Sequence, residues 1–189
     1  MNSKPAKAAA VALCLATLGA SLAPLNGALA ATAPAGPLPG ACKVRLLPVH
    51  DTRADPTTMG SIGGKPVQSP DGPSWVMLAL QTLGQDNHIN LVAGDATDAD
   101  IDVNVDLLKA YVISLTMSKS ANVVVRAHYS HGANPPEDVV YRGVETGTNW
   151  ASTQSESRGA LGAALSQIVT QVHADVLQRC GAAKAAPAA

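Results

Sequence analysis

Five aspartates crowd one stretch of the chain, Asp95, Asp98, Asp100, Asp102 and Asp106, and carboxylates at that density are what a calcium ion takes as ligands. Their spacing argues otherwise. A calcium loop begun at Asp98 needs glycine where Val103 stands and glutamate where Lys109 stands. The acids instead alternate with apolar residues and read as the wet face of a strand. His50-Asp51 has the residue types of half an acid–base couple. With no partner nucleophile marked in the sequence, it reads as a strand-end turn. His128 and His131 are three apart on a predicted strand and point to opposite faces, while His50, His88 and His173 show no ligand spacing with them. The sequence contains no nucleophile elbow, no H-E-x-x-H and no phosphate-loop glycine pattern. No catalytic residue, cofactor or metal is therefore expected.

The cysteines carry the remaining chemistry. Lys4 and Lys7 precede the apolar run Ala8–Ala16, and Ala28-Leu29-Ala30 supplies a small-x-small cleavage site, so residues 1–30 read as a secretory signal peptide. Pro24, Asn26 and Gly27 interrupt the stretch before a membrane span accumulates. Export would remove Cys14 and leave Cys42 and Cys180 as an even pair in a compartment that permits disulfides. We expect them to be joined. The rival reading makes Cys42 a lipidation site, since Leu38-Pro39-Gly40-Ala41-Cys42 has small residues before its cysteine, although proline stands where an aliphatic residue is usual. Membrane attachment follows only on that rival reading.

These residues must be positioned by a single domain. The chain has 189 residues, 47% hydrophobic but 3% aromatic with no Phe, so its core must come from Val, Leu, Ile and Ala. A net charge of −1, which becomes −3 once Lys4 and Lys7 leave, excludes a basic nucleic-acid footprint. Residues 31–41 form a Pro/Gly/Ala linker, 42–180 the folded domain and 181–189 a disordered low-complexity tail.

Within the domain, Lys43–Val49 is a short strand, which Pro48 assigns to an edge or a strand end. Residues 51–72, punctuated by Gly60, Gly63, Gly64, Gly72, Pro56, Pro66 and Pro70, read as a loop long enough to have a purpose. The spacing of Val76, Ala79, Leu80 and Leu83 predicts a helix capped by Gly84. Ile89–Val92 is a short strand. Ile101, Val103, Val105 and Leu107 alternate with polar residues, and past a turn at Lys119-Ser120 a hairpin partner alternates through Val123, Val125, Ala127 and Tyr129. Val139–Thr148 is a further strand. Thr153-Gln154-Ser155-Glu156 offers a capping box to a long helix carrying Leu161, Leu165, Ile168, Val172 and Val176. Gly159 and Gly162 imply close packing or a frayed start. The expected fold is α+β: two helices on a largely antiparallel sheet of four to five strands. Trp75 and Trp150 either lid a core edge or stand as exposed anchors for a partner.

Val44–Arg53, followed by Met59-Gly60-Ser61-Ile62-Gly63, resembles the strand, Asp-x-Arg, Ile-Gly opening of the YajG-like lipoproteins of the bacterial envelope. Ala99–Val105 is similar to their Ala-Asp strand element, and the element order suits the wider group of periplasmic transporter-auxiliary lipoproteins. The resemblance spans about 43–178. It implies a non-enzymatic envelope protein and carries over Asp51, Arg53 and Gly60 as a loop motif, where the Asp–Arg pair either braces the loop or meets a ligand.

The expected function is thus a periplasmic or secreted accessory protein, with an outer-membrane lipoprotein as the minority reading. Its 51–72 loop with Trp75, or an exposed sheet edge, would meet a protein or lipid-transport partner. The alternatives are a small secreted inhibitor or ligand-binding module, and a hydrolase built on His50 and Asp51. Intact mass of the protein recovered from the envelope is expected to show cleavage after Ala30 and loss of two hydrogens to the bridge; a mass matching a lipidated Cys42 excludes both.

Overall fold

The computed structural model describes residues 36–69, 71–114, 117–132 and 135–185. The predicted signal peptide and the first residues of the linker lie outside that range. The alternation beginning at Ile101 becomes β6 (Ile101–Ser114), fourteen residues with Ile101, Val103, Val105 and Leu107 buried on one face. A bulge between Leu107 and Lys109 shifts the register and returns Ala110 and Val112 to the same face.

Along one edge of β6 three short strands lie end to end, all parallel to it: β1 (Cys42–Leu46), β2 (His50–Asp51) and β3 (Thr58–Ile62). β3 turns back into β4 (Lys65–Gln68). Helix α1 (Gly72–Leu80) and a 3-10 turn (Gln81–Gln85) then carry the chain to β5 (Ile89–Val92), parallel to β1. Along the other edge β7 (Ser118–Ser130) and β8 (Glu137–Thr148) form an antiparallel meander, and α2 (Gln154–Ala185) completes the domain. Val76, Leu80 and Leu83 of the first helical segment and Leu161, Leu165, Ile168, Val172 and Val176 of α2 join the inner sheet residues in one core.

The α+β class stands, with several corrections. The sheet is mixed and has eight strands rather than four to five largely antiparallel ones. A helical crossover between β1 and β5 is what permits parallel pairing. β1 is interior, between β5 and β6, and stops before Pro48. The 51–72 segment is not one long loop but carries the β3–β4 hairpin, in which Gly60 adopts φ +83° at a bulge and lets its backbone press against β6. Lys119 and Ser120 lie inside β7, and the reversal falls between Ser114 and Ser118. α2 continues past Cys180 to Ala185, so the expected tail is helical over its first residues.

Cys42 and Cys180 are bonded, with Cα atoms 5.9 Å apart, both buried. The bridge joins the first residue of β1 to α2 across 138 residues, and chain entropy puts its contribution at about 5 kcal/mol as an upper figure.

The close helix–sheet approach lies at Gly143 rather than at Gly159 or Gly162. A Cβ on Gly143 would sit 1.8 Å from the Ala164 carbonyl oxygen, whereas a Cβ on either helical glycine meets open space. Gly143→Ala is expected to cost about 3 kcal/mol in urea unfolding through forced separation of α2 from β8, and Gly159→Ala to add roughly 0.5–1 kcal/mol by favouring the helix.

Candidate functional site

Asp51 closes β2, and Arg53 stands at the start of the excursion that leads to β3. The Arg53 guanidinium grips the carboxylate in a two-pronged pair, Nε to Oδ1 at 2.8 Å and Nη2 to Oδ2 at 2.6 Å. The same fork donates to the Pro56 carbonyl (3.0 Å), the Thr58 carbonyl (3.3 Å) and Ser69 Oγ (3.1 Å). Arg53 is only 8% exposed, and a buried charge of this kind persists because every prong is answered. Bonding to Arg53 holds the Asp51 carboxyl below its ordinary range. Gly72 opens α1 directly over the pair, where a Cβ would lie 2.9 Å from Asp51 Oδ2. Asp55 fastens the same excursion by accepting from Thr57 and Thr58, and these bonds hold it at about 2.

Of the two readings of the Asp–Arg pair, the geometry supports the brace. One guanidinium ties β2 to the start of β3 and to Ser69 just past β4. Both Asp51 oxygens are engaged by Arg53, and the exposed His50 side chain is not among their partners. Gly60 serves the same region by its close approach to Val112. Trp75 is half-buried and packs on the core, whereas Trp150 is 84% exposed and lids nothing.

The aspartate row makes ion pairs rather than a metal loop. Asp102 takes Arg45 at 2.6 and 2.7 Å, Asp98 takes Lys43, and Asp106 accepts His128 at 3.0 Å while Asp138 takes its other nitrogen at 2.6 Å. The bond to Asp106, aided by Asp138, raises the His128 pKa. Asp86 receives the His88 backbone N–H and ring and the His173 ring, and is held at about 2. Among the described residues no cluster of three or more His, Cys, Asp or Glu is placed to hold a metal ion.

One polar cluster had no sequence signal beyond scattered residues. Tyr129 and Tyr141 share a hydroxyl hydrogen bond of 2.7 Å, Tyr141 donates to Asp175 at 2.5 Å, and Arg179 stacks 4.2 Å over the Tyr129 ring while pairing with Glu137. Burial pushes Tyr129 up to about 12 and raises Tyr141 further. Both phenols stay protonated and lock the end of α2 to β7 and β8. Cross-strand neighbours and a helix far along the chain meet here, which only the fold could bring about.

No protein-family model matches the chain, and comparison with curated proteins finds no match. Solved structures do share the fold. The hypothetical protein CT253 from Chlamydia trachomatis is similar at a TM-score of 0.54 and 13% identity, over 75% of this chain and 99% of its own. Protein XCC0632 from Xanthomonas campestris, of DUF330, is similar at 0.56 and 13%, over 82% and 93%. A minor lipoprotein from Acinetobacter baumannii reaches 0.45 at 8% identity, over 72% and 94%, too distant to carry an argument. At such identities the likeness is one of fold, and the narrower resemblance to YajG-like lipoproteins rests on its short motifs.

Asp51→Ala leaves a buried, unpaired guanidinium, and is expected to cost about 3 kcal/mol or more by denaturant unfolding. Because the folded carboxyl sits below its unfolded value, the pair's contribution is complete above about pH 4 and is lost as pH falls through the lower folded pKa. The acid-unfolding midpoint of Asp51→Ala should therefore move up, with wild type and variant converging at the lowest pH.

Proposed function

We propose that this protein is a non-enzymatic accessory protein of the bacterial cell envelope, exported to the periplasm, that works by binding a protein or lipid-transport component. The observation that carries this is the buried Cys42–Cys180 bridge closing the whole domain, the mark of a protein that folds in an oxidising compartment. It agrees with the leader-like residues 1–30. The titratable residues described above are engaged in holding elements together, which supports a binding role over a hydrolytic one. The resemblance to YajG-like lipoproteins points the same way.

The bridge takes up Cys42, so the proposal favours a free periplasmic protein over a lipid-anchored one. Among the described residues no helix is long and apolar enough to cross a membrane. The β3–β4 hairpin is the proposed partner surface. Arg53 holds its base rigid while Ser61 and Gln68 face solvent, and a surface ordered in advance loses less freedom on binding.

Periplasmic pull-down should recover a partner with the wild-type chain and lose it with the hairpin variant Ser61→Arg/Gln68→Arg, while Trp75→Phe retains it. Identical partner lists for wild type and hairpin variant would remove the hairpin from the proposal.

A further inference from the structure

The fourteen-residue β6, the meander and the β3–β4 hairpin all end at one pole of the sheet, and residues 149–153 run across that pole from the end of β8 to the edge of β4. Five consecutive backbone N–H groups on this strap are answered. Asn149 donates to the Met117 carbonyl at 3.1 Å, Ser152 to Asn149 Oδ1 at 3.1 Å, and Trp150, Ala151 and Thr153 to the Glu156 carboxylate at 3.2, 3.1 and 3.4 Å. Lys119 Nζ reaches the same carboxylate at 3.1 Å, and these bonds hold Glu156 at about 2. Asn149 Nδ2 donates to Ser114 Oγ and Ser152 Oγ, both at 3.0 Å. Gln154 then fastens the strap to β4 through the Pro66 carbonyl (2.9 Å) and the Gln68 N–H (3.4 Å). Ser152 has φ 51° and is the one non-glycine with positive φ among the described residues. Such strain persists where the surroundings over-determine it and marks functional positions.

On this rigid strap the chain displays its most exposed large apolar side chain. Trp150 is 84% exposed, and Met117, whose carbonyl accepts from the Asn149 N–H, is 77% exposed; Ile113, on the face of β6 opposite the gripped Ser114, is set apart from them. In a chain with two tryptophans and no phenylalanine, holding one indole in water on a fully bonded loop points to a surface that receives it. Two exposed cations stand near the pole. Lys65 is exposed beside the Gly63–Gly64 turn, whose Gly63 would put a Cβ 3.2 Å from Ser152, and Arg158 is exposed in the first turns of α2, while Glu156 is already paired with Lys119. On a chain of net charge −1, this pole presents exposed cations near a projecting indole.

We infer that the pole formed by Trp150 and Met117, with Lys65 and Arg158, docks on an anionic lipid surface, the indole and thioether entering the headgroup boundary. Indole rings favour that boundary, and lysine and arginine beside it meet anionic headgroups. Two projecting apolar side chains also make a small patch, well short of the roughly 800 Å² per partner that a stable protein interface buries. The inference goes beyond the accessory role and shares Lys65 with the β3–β4 hairpin; vesicles free of protein test it separately from that hairpin's partner.

The test uses the chain carrying Trp75→Phe, in which Trp150 is the remaining indole, mixed with phosphatidylcholine vesicles with and without phosphatidylglycerol, each with plain or brominated acyl chains. On the anionic vesicles Trp150 emission should move to shorter wavelength and be quenched by the brominated chains. In the otherwise wild-type chain, Lys65→Glu should weaken co-sedimentation with those vesicles about fivefold or more. Attachment through residues 1–30 alone would leave the Trp150 indole in water and unquenched. Unquenched emission on every vesicle overturns the inference, as does Lys65→Glu binding like wild type. A blue shift produced only by an envelope protein extract also overturns it and assigns the pole to a protein.

Discussion

The architecture depends on β6. Its inner face is apolar at Ile101, Val103, Val105, Leu107, Ala110 and Val112, so the strand must be paired along its length and covered by helices to exclude water. β7 pairs with nearly all of it on one side. On the other side β1, β2 and β3 share the task, and because all three run parallel to β6 the chain needs a crossover before β6 can enter. α1 is that crossover, and it brings its own apolar face to the same core. The cost of dividing one edge among three strands is two excursions, and the second of them is where the buried Arg53 is required.

A core without phenylalanine is built mainly from Val, Leu, Ile and Ala, each buried Val, Leu or Ile contributing roughly 1.5–3 kcal/mol while filling modest volume, with Met59, Tyr129 and Tyr141 as its larger members. Polar devices at its margins complete the enclosure. Arg53 and Asp51 close the β2–β3–β4 corner, the Tyr129–Tyr141–Asp175 chain closes the end of α2, Glu156 closes the strap, and the Cys42–Cys180 bridge ties the first strand to the last helix. These residues would look like chemistry in isolation. Each is bonded to structural partners, and the proposals above look instead to surfaces: the β3–β4 hairpin and the adjoining pole that carries Trp150.

Much of this was legible from short-range pattern. The period-two alternation of β6 and β7, the spacing of the apolar residues of α2, the Thr153–Glu156 capping box, which forms with bonds of 3.3 and 3.4 Å, and the cysteine pairing all appear as read. What escaped was non-local. Glycines and prolines at 56–72 mark a loop by composition, yet Gly60 is there because its backbone must touch Val112. Gly159 and Gly162 read as either packing positions or a frayed start, while the glycine that packs is Gly143, on the strand facing α2.

By itself, the sequence determined the α+β class, the long amphipathic helix and the paired cysteines, because each is written in neighbouring residue types or in simple counting, while the Asp51–Arg53 motif was singled out through the resemblance to YajG-like lipoproteins. Only the tertiary structure decided that the sheet is mixed, that Arg53 is a buried brace, and that Trp150 stands in water while Trp75 packs on the core. Those outcomes rest on which strand lies beside which and on what a side chain meets across tens of residues, and no local period encodes them.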